Sequence, residues 1–537
     1  MDVLLVASGK SSRLVHYTKD YLPKYLLNID NYPALVKIIN YWSKYAKRFF
    51  LVIHEQFNTL TQFYIDHFLT SLKNNIYILN YNNYDGTAYT IETIYQKYLL
   101  SYNIKNLLIS WSDILPKEDL NMHHFQKEQS MKKKYNQIYV FTYGNECRYL
   151  LDHENKIIKH NEGNIIGIYY IQNILFKTIK KIEKNIDIVE YLSFFEDNTL
   201  YNYELNDLLD FGDENKYKAI IEYQNDPNKI NCRSFNEITI KHNQLLKKAV
   251  NEKGIQVIKH EMAFYKYLDK INEEHDKIFN LFPKVSQYFE SAFSMEYKKN
   301  YMNLYKYLKK NNSDENEYII EKLLEHFQRL HNIKNENIPK VQFLHDIKGE
   351  IYDKIINRIK NIQPILDYFP KFKKVNGIYI ANFNTLLEHI HHFIFQYYEL
   401  LDDYQYQIIH GDPNFSNILI HPEKKDLCFI DPRGYFSSSS VLGPKDYDYA
   451  KVLYGLSGYD EFNNHHFVID YIDEHEIKFK INQINISEEF KNKHFNKLHK
   501  MMLVIIWLGL AEYNKNNIWK CIASYYHGLY LGSFIEF

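Results

Sequence analysis

A chain of 537 residues is longer than a single hydrophobic core supports, so two or three domains are expected. It is 45% hydrophobic with a formal net charge of −1, which marks a globular protein and argues against nucleic acid or an anionic membrane surface as its main partner. Cys147, Cys232, Cys428 and Cys521 lie far apart in no metal or redox pattern, and no basic leader precedes Val3, so a reducing, cytoplasmic setting is the expectation.

The chain opens on an apolar run, Val3 to Val6, that leads into small residues (Ala7, Ser8, Gly9, Ser11, Ser12) and then Arg13-Leu14, with Pro23-Lys24 following. Small residues let backbone N–H groups approach a polyphosphate, and Arg13 and Lys24 can neutralise its charge. Strands are predicted at 3–7, 49–53, 76–79, 107–111, 138–142 and 165–170, alternating with helix-like runs as an α/β sheet domain requires. Gly86-Thr87-Ala88 precedes a helical stretch where a base or ribose could pack on backbone. Asp113 follows an apolar strand and Asp210 stands beside Gly212; two such carboxylates can share one Mg²⁺ that bridges nucleotide phosphates. Only 17 glycines stand against 50 tyrosines, so a glycine in a phosphate loop is more telling here than usual. The polar stretch 223–229 is the predicted junction.

On these residues, 1–225 resembles the sugar-phosphate and alcohol-phosphate nucleotidyltransferases: a small-residue loop ending in Ser12-Arg13-Leu14, then Pro23-Lys24, Gly86-Thr87-Ala88, a strand-end Asp113, and Asp210-Phe211-Gly212. The resemblance implies a Rossmann-like mixed sheet flanked by helices. It places Ser8, Gly9, Ser12, Gly86 and Thr87 at the nucleotide, Arg13 on the β/γ-phosphates, Lys24 on the α-phosphate, and Asp113 and Asp210 on Mg²⁺. Glu162 and Gly167 would contact the acceptor. Ser8 and Ser11 stand where the family has glycines, and its Glu-Lys acceptor segment is reduced to Lys159-His160-Asn161-Glu162-Gly163.

Further along, 236–240 and 245–249 read as a hairpin around the glycine-free turn Lys241-His242-Asn243-Gln244. Neighbouring strand residues face opposite ways, so only one of Lys247 and Lys248 can reach a nucleotide; Lys248 is the expectation, with Glu261 on the next helix-like run orienting it. The strongest pattern is His410-Gly411-Asp412, then Asn417, then Ile430-Asp431. Phosphoryl transfer from ATP needs a carboxylate to take the acceptor's hydroxyl proton, and an amide oxygen and a carboxylate on Mg²⁺. Strands at 418–420 and 427–430 would form a hairpin that brings Asn417 and Asp431 together.

Residues 232 to 537 thereby resemble the choline kinase and aminoglycoside phosphotransferase family. The resemblance implies a two-lobed, protein-kinase-like α+β domain, with a small lobe at 232–297 and a large helical lobe at 298–537. Asp412 would be the catalytic base, Asn417 and Asp431 the Mg²⁺ ligands, His410 a brace, and Met295-Glu296-Tyr297 the hinge whose backbone binds adenine. Asp431-Pro432-Arg433-Gly434 replaces the commoner Asp-Trp/Phe-Glu; of two roles for Arg433, contact with an anionic substrate and a structural salt bridge, the salt bridge is the expectation. The stretch from Asp446 to Lys451 is expected to cap a helix and support the metal loop. Met501 to Ala511 is too short to span a bilayer and reads as a buried helix.

The expectation is a bifunctional enzyme using Mg²⁺, ATP and a second NTP (CTP, UTP or GTP), with sugars or amino alcohols and their phosphates as substrates. Nucleotide-sugar synthesis for glycans leads. A choline kinase joined to a CTP:phosphocholine cytidylyltransferase is the alternative, and an inactive nucleotide-binding regulatory or scaffold module is the alternative of another class.

Overall fold

A strand buried along its whole length belongs inside a sheet covered on both faces. Asp2–Val6 is such a strand, with all five residues buried. It lies centrally in a sheet revealed by a computed structural model that describes residues 1–9, 11–83, 85–121, 137–172, 185–193, 200–224, 235–272, 281–335, 338–401, 406–439 and 441–536. Cys232 and most of the junction 223–229 lie outside the described residues. Cys147, Cys428 and Cys521 are free thiols.

The chain divides into two compact units, one of Met1–Gln224 with Pro364–Phe369 and Asn516–Ile518, the other of the remainder. The first is built on seven strands: β1 (Asp2–Val6), β2 (Arg48–Ile53), β3 (Ile76–Asn80), β4 (Asn106–Trp111), β5 (Ile138–Leu151), β6 (Ile157–Gln172) and β7 (Leu200–Glu204). Their order is β7-β5-β6-β4-β1-β2-β3. The strands β4, β1, β2 and β3 run parallel, whereas β6 is antiparallel to both β4 and β5. Leu4, Val6, Phe50, Val52, Leu107 and Ile109 share a buried core with Ile91 and Ile94 of the helix Thr87–Lys97.

The strands predicted at 138–142 and 165–170 are ends of a much longer ribbon, since β5 and β6 pair as far as Leu151 and Ile157. Burial along β5 lapses after Phe141 and Thr142 while the pairing continues, so apolar content marked only the covered part. A separate two-stranded ribbon pairs Ile114–Pro116 with Leu208–Asp210, setting Asp210 opposite Ile114.

The second unit begins with β8 (Asn236–Lys241), β9 (Gln244–Ala249), β10 (Val285–Tyr288) and β11 (Ala292–Glu296), ordered β8-β9-β11-β10. The β8–β9 turn has positive φ at both His242 (47°) and Asn243 (60°), the two-residue geometry that matches strand twist. The helix Glu252–Asn272 packs on this sheet.

Beyond it come the helices Ser313–His331, Phe383–Leu400, Lys445–Leu456 and Lys497–Tyr513. Among them sits the hairpin of β12 (Ile418–Ile420) and β13 (Leu427–Phe429). The region is not wholly helical: Phe467–Tyr471 and Glu476–Ile481 form a further hairpin that the sequence reading left out. No described helix is long and apolar enough to cross a membrane.

Trp507, on Lys497–Tyr513, is fully buried, donates Nε1–H to Ser457 Oγ at 3.0 Å, and packs on Tyr454, Phe462 and His527. Trp507→Ala is expected to destabilise this unit by about 3–5 kcal/mol. The measurement is a fall in the urea midpoint at unchanged slope.

Candidate active sites

In the first unit the loop after β1 turns through Ser12–Leu14, a 3-10 turn closed by Leu14 N–H on Ser11 O at 2.9 Å. Ser8 is buried, whereas Gly9, Ser12 and Arg13 are exposed. Ser11 Oγ accepts the backbone N–H of Lys24 at 3.1 Å, which ties the small-residue loop to the Pro23-Lys24 turn. The Lys24 ammonium then ion-pairs with Asp113 Oδ2.

Asp113 and Asp210 converge because the Ile114–Pro116 and Leu208–Asp210 ribbon follows one and ends at the other, with Phe211 N–H on Asp113 O at 3.0 Å. A Cβ at Gly212 would lie 2.8 Å from Asp113 Oδ2 and 3.2 Å from Asp210 Oδ1, so both carboxylates share the space that the glycine leaves open. Lys216, on the helix Glu214–Gln224, pairs with Asp210 Oδ2 at 2.6 Å. Sequence reasoning passed over Lys216; its place one turn into the helix after the Asp210 segment was the available signal.

This pair fits a hard cation. Asp113 Oδ1 is buried without a hydrogen-bond partner, an acceptor left over beside a second carboxylate. Among the described residues no group of three or more His, Cys, Asp or Glu could hold a metal. A pair would suit Mg²⁺ carried by a nucleotide, with Asp113 and Asp210 as the protein's ligands.

Gly86 has φ 86° and caps the helix Thr87–Lys97; a Cβ there would meet the Asn185 backbone at 2.8 Å. The Thr87 hydroxyl donates to Asp187 Oδ1 at 3.2 Å and accepts Ile188 N–H at 2.8 Å, so it anchors that loop. The acceptor expectation for Gly167 is corrected. Gly167 is buried against an indole, where a Cβ would fall 1.4 Å from Trp111 Cδ1; its smallness serves packing. Glu162 is exposed, and its backbone N–H rests on His160 Nδ1 at 3.1 Å, with no described contact to the carboxylate pair.

In the second unit Asp448, wholly buried on Lys445–Leu456, accepts the N–H groups of His410 and Gly411, each at 2.8 Å, and His331 Nε2 at 3.0 Å. His410 is buried and its pKa is lowered, chiefly by desolvation, so it is neutral. Its Nε2–H donates to Ile430 O at 2.9 Å and its Nδ1 accepts Asp412 N–H at 3.3 Å, which assigns the tautomer and makes His410 a brace. Asn417 Nδ2 donates to Asp412 O at 2.9 Å, and Ile430 N–H donates to Asn417 O at 3.0 Å. Asp412, Asn417 and the start of Asp431 are thereby held around one loop. Asp431 sits at φ 56°, a left-handed conformation costing a non-glycine residue about 1–3 kcal/mol and typical of constrained sites. One carboxylate and one amide oxygen are hard donors that fit Mg²⁺ on a nucleotide.

The choice between the two lysines is corrected. Lys247, not Lys248, is buried, with Nζ 2.7 Å from Glu261 Oε2 and 2.9 Å from Asp431 Oδ1. Lys248 is exposed. Leu245 and Leu246 are both apolar, so the strand's own pattern did not say which face the helix Glu252–Asn272 would cover. The hinge is narrowed: Glu296 N–H donates to Lys284 O at 2.9 Å and Tyr297 N–H to Asn243 O at 3.0 Å, so both donors are occupied by backbone. Lys451, expected only to support the loop, pairs with Asp412 Oδ1 at 2.9 Å. Arg433 forms its expected salt bridge, to Glu350 at 2.7 Å.

No protein-family model matches the chain, and no curated protein matches it. Among solved structures, a Bacillus anthracis protein provisionally named glucose-1-phosphate thymidylyltransferase is 14% identical over 43% of this chain and 98% of its own, with a TM-score of 0.35. HddC from Yersinia pseudotuberculosis is 17% identical over 41% and 99%, at 0.31. The inositol-1-phosphate CTP transferase from T. maritima is 13% identical over 43% and 98%, at 0.31. At these scores the likeness assigns no activity.

Gly167→Ala must displace Trp111, which lies two residues before Asp113 on the chain. It is expected to cost about 1–3 kcal/mol of stability by overpacking. Chemical denaturation of the variant against the parent measures this.

Proposed function

We propose that the chain is a bifunctional enzyme: the second unit phosphorylates a small hydroxylated acceptor with ATP, and the first transfers a nucleotidyl group from an NTP to a phosphorylated sugar or alcohol, releasing pyrophosphate. The observation that carries the reading is that in the first unit Asp113 and Asp210, distant in sequence, share the space over Gly212 beside Lys24, and in the second the backbone bond from Ile430 to Asn417 ties the Asp412 loop to the strand end before Asp431, which pairs with the buried Lys247.

In the second unit Asp412 is the base. Lys451 and the Asn417 amide hold its carboxyl group and backbone, and the neutral His410 fixes the loop without competing for the proton. Lys247, oriented by Glu261, is the cation for the ATP phosphates. In the first unit Lys24 would exchange its bond to Asp113 for the α-phosphate, and exposed Arg13 would meet the outer phosphates. Bound Mg²⁺ would offset the charge that develops on the phosphates at each donor pair. A kinase product is the kind of compound the transferase consumes, which makes the two activities coherent in one chain.

Asp412→Asn is expected to abolish acceptor phosphorylation and leave pyrophosphate release from NTP and sugar phosphate intact, while Asp113→Asn does the reverse. Separate ADP-release and pyrophosphate-release assays on each variant check this; loss of both activities in a folded single variant would refute two independent sites. Lys247→Met is expected to weaken Mg·ATP binding about 10- to 100-fold, the value of one or two charge-assisted hydrogen bonds, with Lys248→Met within about twofold of the parent. Calorimetric titration with Mg·ATP reads both.

A further inference from the structure

Beside Asp412 the second unit holds a cavity of about 180 Å³, and its charged lining is Glu350, Lys354, Arg358, Asp412, Arg433 and Lys451. Four cations thus face two carboxylates. Both carboxylates are already engaged: Glu350 accepts from Arg433 Nη1 at 2.7 Å and pairs with Lys354, and Asp412 pairs with Lys451. Glu512 stands 4.0 Å from Arg358 but is itself paired with Lys515 at 2.8 Å, so it does not remove the excess.

Two further observations show that the positive charge is crowded and incompletely bonded. Arg433 Nη2 is buried and has no hydrogen-bond partner, although its neighbour Nη1 is bonded to Glu350. The Lys354 ammonium is pushed down to about 7, by burial first and then by Arg433, with Arg358 adding to the repulsion. Arg433 is also fixed next to the reacting groups, since its backbone N–H donates to His410 O at 2.8 Å and its Cβ lies against Gly411.

The rings of Tyr435, Tyr447 and Tyr454 in the cavity are poorly placed to cage an external cation, because the protein's own cations already lie over them. The Arg433 guanidinium lies 4.1 Å from the Tyr435 ring centre, and Lys451 Nζ lies 5.0 Å from that of Tyr454. At those three rings a quaternary ammonium would meet the repulsion of Arg433 and Lys451.

We propose that the acceptor at this site carries its own anion, a carboxylate or a phosphate, beside the hydroxyl that is phosphorylated, and that Arg433, Lys354 and Arg358 hold that anion. The inference rests on the kinase reading of this unit and names its substrate class. In the step, the acceptor oxygen bonds to the γ-phosphorus as the bond from that phosphorus to the β,γ-bridging oxygen breaks. ADP leaves with that electron pair, and the hydroxyl proton passes to the Asp412 carboxylate.

The test uses the full chain with Mg·ATP and acceptors matched in skeleton: glycerol, glycerate and glycerol 3-phosphate; glucose, glucuronate and glucose 6-phosphate; and choline. ADP release with ³¹P identification of the product is the readout. At least one anionic member is expected to exceed its neutral parent about 10- to 100-fold in kcat/KM, with choline unreactive. Which member it is separates carboxylate from phosphate. Arg433→Gln and Arg358→Gln are expected to reduce that preference through KM; the second variant leaves the buried Glu350–Arg433 pair in place, so misfolding of the first does not decide the matter. Equal or better use of neutral acceptors or choline, or a preference unchanged in both variants, overturns the inference and leaves the kinase reading standing. Mg·ATP binding with no transfer to any acceptor also overturns the inference, and absence of Mg·ATP binding overturns the kinase reading with it.

Discussion

Carboxylates packed close together repel one another, and a fold that gathers them must supply positive charge at the same place. This chain does so with lysines in both units. Lys24 meets Asp113 and Lys216 meets Asp210; Lys247 stands between Glu261 and Asp431, and Lys451 meets Asp412. An ammonium on a flexible stem can exchange a carboxylate for a phosphate oxygen at modest structural cost. On the proposed reading, Lys24 and Lys247, which neutralise these carboxylates, are the groups that would receive a nucleotide.

The acids themselves are placed by rigid backbone. Asp448 takes two consecutive N–H groups of the Asp412 loop and is anchored in turn by His331, while neutral His410 links that loop to Ile430. In the first unit the corresponding device is the short ribbon that brings Asp210 to Asp113 over Gly212. A missing side chain contributes as much as the present ones there, because any Cβ would enter the space between the carboxylates. The cavity beside Asp412 departs from this balance. Its cations exceed its carboxylates, and one guanidinium nitrogen is buried unbonded, a form of frustration that an anionic ligand would relieve.

Sequence-local features were legible. The strands at Asp2–Val6, Arg48–Ile53, Ile76–Asn80 and Asn106–Trp111 lie where apolar runs placed them, and so do the β12–β13 hairpin and the helix through Trp507. The continuation of β5 and β6 was not legible, because residues exposed on both faces carry no periodic signal while their backbones still pair. Gly167 was misread because a glycine required for packing against an indole looks the same in sequence as one required for a ligand.

The sequence by itself determined the alternation of the first unit and the loop-and-hairpin frame that carries Asp412, Asn417 and Asp431, since neighbours along the chain build that frame. Tertiary structure alone decided which lysine meets Glu261, that Lys216 joins Asp210 and Lys451 joins Asp412, and that the cavity beside Asp412 is cationic. Those pairings join elements whose relative placement depends on how whole faces pack, and no local pattern encodes the partner of a charge.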